Sequence, residues 1–261
     1  MGRFTIILIA ILLICGAGKV PTGNLSQGLV CSLPLDEGAG LRAHEATGMI
    51  VGGYSPCPIT TLTWGVNSSL GKSLIWAAPN TNKVTIGKPS PLNLTTSEMT
   101  VSAWVVLTSL SGGVNSGYRY ICSDYNTGAS NAQFALQVNN GQRAVFFWAN
   151  SGTQSPAPLS AQGSSTIVIN KLYHFVGVRS GVTGAWRADI YVNGRVDGGT
   201  TTSGNPCAQS SAGNIQVGQA GDYTGALGMV GSIKKLDIWK RALKPNEIKE
   251  LYIEGLKNIT K

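Results

Sequence analysis

The acidic residues and histidines are the groups best suited to catalysis, and their spacing argues against it. The chain of 261 residues holds 12 Asp and Glu and two His. A glycosidase needs two carboxyl groups flanking the bond it cleaves, and acids at alternate positions of one strand would supply such a pair. Asp36 and Glu37 are adjacent on a predicted turn, which directs them apart. A glycoside hydrolase is therefore the least favoured hypothesis.

The two histidines lack the partners of a hydrolase or a metalloprotease. The sequence contains no Gly-x-Ser-x-Gly turn that would present a nucleophilic serine. His44-Glu45 is not followed by the second histidine of a zinc protease helix. His174 lies in a predicted strand between Tyr173 and Phe175, where we expect a structural role. We therefore predict that the protein is not an enzyme.

Aromatic residues beside Asp, Asn or Gln favour a binding function instead. Aromatic rings pack on the apolar faces of sugars, and amides and carboxylates form directional hydrogen bonds with hydroxyl groups. Where such residues flank predicted turns, we select six candidate ligand-binding positions: Asp124, Tyr125, Asn126, Trp186, Asp222 and Tyr223. Further candidates are Tyr118, Tyr120 and Trp148 with Asn150. Each of these aromatic residues has the alternative of packing in the core.

Short strands and turns must position these residues. In residues 101–107 the odd positions form one apolar face, which is the period of a half-buried strand. Asn193-Gly194 predicts a two-residue type I′ hairpin turn. Many such segments, separated by Gly, Pro and Asn, predict an all-β fold. We expect a two-sheet antiparallel jelly-roll sandwich with a short C-terminal helix.

The predicted helix follows the last predicted strand, residues 230–239. In that strand Leu236 and Ile238 point to one face. Lys235, Asp237 and Trp239 point to the other. Pro245 suits the first helical position, and the apolar residues at 248, 251 and 252 form one stripe. Gly255 is expected to end the helix.

The first residues have the pattern of a secretory signal peptide. Arg3 precedes a short apolar run at residues 6–14, and the small residues Ala17 and Gly18 follow it. We predict a signal peptide at residues 1–18 and one domain over residues 19–261. No later segment is apolar enough to cross a membrane. The protein is expected to be secreted or surface-exposed, including the possibility of a virion surface.

Four cysteines remain in the predicted domain: Cys31, Cys57, Cys122 and Cys207. They permit two disulfides with three possible connectivities, or four buried thiols. Cys31 lies inside a predicted strand and suits a buried thiol. No Cys and His pair has the spacing of a zinc site, so zinc is not predicted.

The positive charge of the chain does not predict nucleic-acid binding. The net charge is +8, yet charged residues make up only 12% of the chain and the bases are spread thinly. A nucleic-acid binder would carry a concentrated basic stripe with stacking aromatics. With so few charged residues, the surface is expected to be rich in Ser, Thr, Asn, Gln and Gly, which is typical of extracellular and virion-exposed β-proteins.

Six motifs occur in the order found in one group of jelly rolls. They are residues 28–40, 71–74 with 83–86, 99–104, 173–178, 190–195 and 215–218. Residues 99–104 read Met-Thr-Val-Ser-Ala-Trp, and residues 190–195 read Ile-Tyr-Val-Asn-Gly-Arg. With these motifs the chain resembles the LamG-like domains of the concanavalin A-like lectin/glucanase superfamily. That superfamily contains glycoside hydrolases and binding domains, so the resemblance alone does not decide the function.

The resemblance also raises the question of calcium, which many such domains hold at the sheet rim with oxygen ligands. Their closing strand commonly begins Ile-Asp-Glu, whereas this chain has Ile233-Lys234-Lys235. Asp36, Asp124 and Asp222 could contribute elsewhere, but we assign no metal and no cofactor.

The sequence thus predicts a non-catalytic extracellular binding module, with carbohydrate recognition at a cell or virion surface as the favoured function. The alternative is a structural or adhesion protein that makes protein–protein contacts, such as a virion decoration. The expected partner is a glycan or a surface protein, and not a nucleic acid.

Overall fold

Two antiparallel sheets, each of eight strands within the described ranges, form the computed structural model of the protein. The structure describes residues 23–49, 57–77, 82–87, 89–94, 97–110, 117–124, 132–148, 159–202, 214–220 and 228–259. The predicted all-β, two-sheet jelly-roll sandwich is confirmed. The predicted signal peptide, residues 1–18, lies outside these ranges.

The strands are, in chain order, β1 (Leu29–Leu33), β2 (Arg42–Ala43), β3 (Cys57–Thr60), β4 (Thr63–Asn67), β5 (Gly71–Trp76), β6 (Lys83–Gly87), β7 (Met99–Leu107), β8 (Arg119–Ser123), β9 (Ala135–Val138), β10 (Ala144–Trp148), β11 (Leu159–Gln162), β12 (Leu172–Val182), β13 (Ala185–Val192), β14 (Arg195–Thr202), β15 (Ile215–Val217) and β16 (Gly231–Trp239). The helix α1 spans Pro245–Ile259, and 3-10 turns occupy Gly23–Ser26 and Ser90–Leu92.

Sheet I has the order β14-β13-β12-β7-β16-β5-β4, with β1 also paired to β16. Sheet II has the order β11-β10-β9-β8-β15-β6-β3-β2. The core lies between the two sheets and takes alternate residues from several of the strands. In β7 it takes Val101, Ala103, Val105 and Leu107, as their spacing predicts.

Helix α1 lies on the outward face of sheet I. Trp239, at the end of β16, packs there with Ile248 and Leu251, while Leu236 and Ile238 face the core between the sheets. This arrangement confirms the predicted strand and helix faces.

The prediction that Gly255 ends the helix was wrong, because α1 continues to Ile259. A Cβ atom at Gly255 would lie 2.4 Å from Cζ2 of Trp104. Glycine is therefore required at this point by the close approach of the helix to the Trp104 ring.

The described cysteines are thiols. Cys31, Cys57 and Cys122 are buried and free, and Cys207 lies outside the described residues. Burial raises the pKa of Cys57 to about 12 and raises those of the other two thiols as well. The expected buried thiol at Cys31 is confirmed.

Among the described residues, no helix has the length and apolar character needed to cross a membrane.

Candidate functional site

A cleft of about 520 Å³ lies on the outward face of sheet I. Its floor is formed by β12, β13 and the start of β14, and its wall by the segment that leads into α1. The lining residues are Val178, Ser180, Arg187, Asp189, Tyr191, Gly194, Val196, Ala242, Leu243, Lys244 and Pro245.

Strand β13 supplies the polar centre of the cleft. Arg187, Asp189 and Tyr191 alternate along the strand, so all three point to its outward face. The residues between them, Ala188 and Ile190, belong to the core. The period of two therefore places a cation, an anion and an aromatic ring side by side.

Arg187 and Asp189 form a bidentate ion pair at the cleft floor. The guanidinium donates from Nε to both carboxylate oxygens, at 3.0 and 2.8 Å, and from Nη2 to Oδ1 at 2.7 Å. These hydrogen bonds raise the pKa of Arg187 above its ordinary value. The Arg187 side chain is 52% exposed and that of Asp189 11%. The pair thus fixes a donor group that faces the open cleft.

Tyr191 provides the apolar part of the floor. Its ring packs with Val178 and Leu243 beneath the start of α1, and Tyr191 as a whole is 7% exposed. Burial, followed by the charge of Asp189, raises the pKa of its hydroxyl group, so the phenol is neutral at physiological pH. Val196, 63% exposed, extends this apolar surface at the rim.

Lys244 stands in the wall, immediately before α1. Its backbone N–H donates to Oε2 of Glu247 at 2.8 Å, and Glu247 also accepts two hydrogen bonds from Arg241. Arg241 and Lys244 together lower the pKa of Glu247, with the Arg241 hydrogen bond as the largest cause. The wall is therefore held in place by a carboxylate that Arg241 neutralises.

Asp124, one of the predicted ligand-binding residues, is 2% exposed. Its Oδ2 accepts from Nε2 of Gln133 at 2.8 Å, and its Oδ1 accepts from the backbone N–H of Phe134 at 3.1 Å. Burial raises the pKa of this carboxyl group to about 6 despite these hydrogen bonds. Asp124 thus holds the chain that enters β9.

Trp186, a second predicted residue, is 2% exposed and belongs to the core. The guanidinium of Arg179 lies 5.6 Å from its ring centroid and 5.5 Å from that of Trp148. Nη1 of Arg179 also donates to the backbone oxygen of Gln133 at 2.9 Å. The expectation of an exposed Trp186 ring is corrected, because Trp186 faces inward with the core residues of β13.

Asp124 and Trp186 are therefore joined inside the sandwich, through Gln133 and Arg179, and neither lies in the cleft. The other four predicted residues, Tyr125, Asn126, Asp222 and Tyr223, lie outside the described residues, as does Asn150. Tyr120 and Trp148, the further candidates, are 5% and 0% exposed, and Tyr118 is half-buried.

His174 has the structural role that its place in the strand predicts. Its Nε2 lies 2.8 Å from Oγ of Ser102, and its ring stacks on Trp104 at 4.6 Å. Burial lowers the pKa of His174 to about 3. Both members of this Ser–His pair are buried, so the pair has no access to a substrate.

The sequence profile of the Laminin_G_3 family, from the concanavalin A-like lectin/glucanases superfamily, matches residues 79–249. The chain belongs to this superfamily. No curated protein sequence matches it significantly.

Several solved structures resemble the fold of the chain at low sequence identity. Domain 4 of AbnA, a GH43 extracellular arabinanase from Geobacillus stearothermophilus in complex with arabinotriose, has a TM-score of 0.61 and 16% identity, covering 86% of this chain and 98% of that one. The CBM40 domain of the Ruminococcus gnavus IT-sialidase, bound to α2,3-sialyllactose, has a TM-score of 0.54 and 12% identity, covering 69% and 95%.

A third structure, the binding domain of Paraclostridial Mosquitocidal Protein 1, has a TM-score of 0.61 and 15% identity, covering 86% of this chain. The chain spans about half of that binding domain, 52% of its length. At these identities the likeness concerns the fold.

The closing strand of this superfamily member uses its two lysines for structural contacts. Nζ of Lys234 donates to the backbone oxygen of Leu70 at 2.9 Å, and Nζ of Lys235 lies 3.5 Å from Oδ2 of Asp237. Within the described ranges, no group of three or more His, Cys, Asp or Glu side chains is arranged to hold a metal ion.

Sequence reasoning missed the cleft residues, although a signal was present. Arg187, Asp189 and Tyr191 stand at alternate positions of the segment that forms β13, and this pattern marks one polar face. The same period places Trp186 on the opposite face with Ile190, so the alternation also contained the reason for its burial.

Proposed function

We propose that this protein is a non-catalytic extracellular module that binds carbohydrate in the cleft beside β13. The observation that carries the proposal is the Arg187–Asp189 ion pair next to the ring of Tyr191. A sugar presents hydroxyl groups at its edge and C–H groups on its faces, so it needs both kinds of surface close together. Oriented polar groups beside an apolar floor are the usual composition of a small-molecule site.

The ion pair reduces the cost of binding because its geometry exists before the ligand arrives. Three hydrogen bonds hold the Arg187 guanidinium in one orientation, so little side-chain freedom remains to be lost. Its Nη1 makes no hydrogen bond to a described residue and is free to donate to a sugar oxygen. The volume of about 520 Å³ suits one or two sugar rings.

The cleft favours binding over hydrolysis. Glycoside hydrolysis generally requires two carboxyl groups, one on each side of the scissile bond. Among the described residues that line the cleft, Asp189 is the single carboxylate, and Arg187 occupies both of its oxygens. A pair of acids is thus lacking where the ligand would lie.

Two similar structures support a sugar as the ligand class, since one is described with arabinotriose and the other with α2,3-sialyllactose. The signal-peptide pattern of residues 1–18 and the low content of charged residues, 12%, support an extracellular location. The mature domain is proposed to be residues 19–261.

The experiment is a glycan array probed with the exported protein and with two variants. Arg187→Gln removes the donor group of the cleft, whereas Tyr125→Ala tests the positions around residues 124–126 and 222–223 that the sequence favours. We expect binding to one glycan class, lost in Arg187→Gln and kept in Tyr125→Ala. Loss in Tyr125→Ala alone would move the site to those positions. A silent array would instead favour a protein–protein contact.

A further inference from the structure

We infer that the ligand of the cleft carries a carboxylate, which lies between the side chains of Arg187 and Lys244. This inference rests on the proposed function and narrows it from carbohydrates in general to acidic sugars. It comes from the balance of charges around the cleft.

Among the described residues that line the cleft, three are charged: Arg187, Lys244 and Asp189. Asp189 is already matched, because its two oxygens accept three hydrogen bonds from Arg187. Two cations against one engaged anion leave the lining with an excess positive charge. A neutral sugar would leave this charge unused, whereas an acidic sugar would complement it.

Arg187 retains donor capacity after pairing with Asp189. A guanidinium has five N–H donors in a fixed fork, and the three hydrogen bonds to Asp189 come from Nε and Nη2 alone. The remaining N–H groups belong to a side chain that is 52% exposed. They can donate to a second carboxylate at the cleft opening.

Lys244 is free for the ligand because the nearest acid of its own segment is engaged elsewhere. Glu247 accepts from Nη1 and Nη2 of Arg241 at 2.9 and 2.8 Å. Lys244 donates a hydrogen bond to that carboxylate from its backbone N–H, and the charge of its ammonium is a lesser cause of the lowered pKa of Glu247 than the Arg241 hydrogen bond. No ion pair of the Lys244 ammonium is found with any described residue. Lys244 is therefore an exposed residue of the cleft wall, on a backbone that Glu247 fixes.

The test compares ligands that differ only in their carboxylate. Hyaluronan and α2,3-sialyllactose, each paired with its carboxyl-reduced form, are titrated into the exported protein by calorimetry. We expect the acidic member of at least one pair to bind about tenfold more tightly, as charge-assisted hydrogen bonds require. Lys244→Gln should abolish this preference, so that the ratio of the two affinities falls to about one.

The control variant is Lys249→Gln, which removes an exposed lysine of α1 that does not line the cleft. An equal loss in Lys249→Gln would show diffuse charge attraction and overturn the inference. Equal affinity for the acidic and the neutral member of each pair would also overturn the inference of an acidic ligand. If that affinity still depended on Arg187, the proposed glycan binding in the cleft would stand. No binding to either pair or to any glycan of the array would overturn both.

Discussion

Asp189 accepts hydrogen bonds from Arg187 at 3.0 and 2.8 Å from Nε and at 2.7 Å from Nη2. The two residues are separated by one position of β13, so the strand period places them on the same face. This face would be an ordinary exposed sheet surface without the segment 242–245, which adds a wall beside it. The pair becomes a candidate site only through that packing.

Gly255→Ala is expected to destabilise the protein, although Ala normally favours a helix over Gly by about 1 kcal/mol. The added Cβ would lie 2.4 Å from Cζ2 of Trp104. That ring is stacked on His174 at 4.6 Å and on Tyr252 at 5.5 Å, so it has little room to move. Overpacking of this kind costs about 1–3 kcal/mol, measurable by urea unfolding.

Glu254→Ala, at the exposed neighbouring position, is the control and should change the free energy of unfolding by less than about 0.5 kcal/mol. A Gly255→Ala variant more stable than the parent would show that α1 does not approach Trp104 so closely.

Trp186→Ala should act on stability rather than on ligand contacts. Removal of a buried Trp side chain costs about 3–5 kcal/mol, and the guanidinium of Arg179 would lose one of its two flanking rings. Chemical unfolding should show this loss, while the fraction that remains folded keeps its affinity for the glycan. Val182→Ala, at a position 68% exposed in the same hairpin, is the control. A Trp186→Ala variant that keeps its stability but loses glycan binding would instead support the sequence-based prediction that Trp186 binds the ligand.

The pH dependence of stability should carry the signature of His174. Its pKa falls from an ordinary 6.5 to about 3 because burial disfavours the charged ring. The unfolded chain therefore binds a proton at this residue that the folded protein does not. The stabilisation is complete above pH 6.5 and decreases as the pH falls from 6.5 towards 3. In His174→Gln the free energy of unfolding should depend less steeply on pH in this window, as urea titrations between pH 4 and 8 can measure.

Protonation of Asp124 should partly offset, over a narrower pH range, the loss of stability that His174 causes as the pH falls. Burial raises its pKa from 3.8 to about 6, so its protonated form favours the folded state. That contribution is complete below pH 3.8 and is lost as the pH rises through 6. Asp124→Asn should therefore make the loss of stability between pH 6 and 4 steeper than in the parent. A shallower slope would contradict the burial of this carboxyl group.

The three described thiols should not react in the native protein. Cys31, Cys57 and Cys122 are each 0% exposed, and their raised pKa values keep them protonated. Labelling with a maleimide, followed by peptide mass spectrometry, should modify them only after unfolding in urea. Labelling of any of the three under native conditions would contradict their placement in the core.

The fold could be predicted because its signals are local. The odd positions of residues 101–107, the Asn193-Gly194 turn and the apolar stripe of α1 each describe one element, and each is confirmed. The faces of strands follow from a period of two, which the sequence displays directly. The end of α1 could not be predicted in this way. Gly255 is required by the close approach of the Trp104 ring, and Trp104 is distant in sequence.

The candidate site could not be predicted in the same way, because it forms between distant parts of the chain. Lys244 and Arg187 line the same cleft only when α1 packs on sheet I. An aromatic residue near a turn has the same local sequence whether its ring faces the core or solvent, and Trp186 faces the core. Asp124 likewise has its partner in Gln133, which no local pattern indicates.

The binding of a glycan beside β13 is tested most directly by calorimetric titration of the strongest array ligand into three proteins: the parent, Arg187→Gln and Arg195→Gln. Arg195 is an exposed arginine in the strand next to β13 and does not line the cleft. Loss of hydrogen bonds from a charged donor, each contributing about 1.5–3 kcal/mol, should weaken binding by roughly 10- to 100-fold in Arg187→Gln and leave Arg195→Gln like the parent. Equal affinity of all three proteins would contradict a glycan site in the cleft.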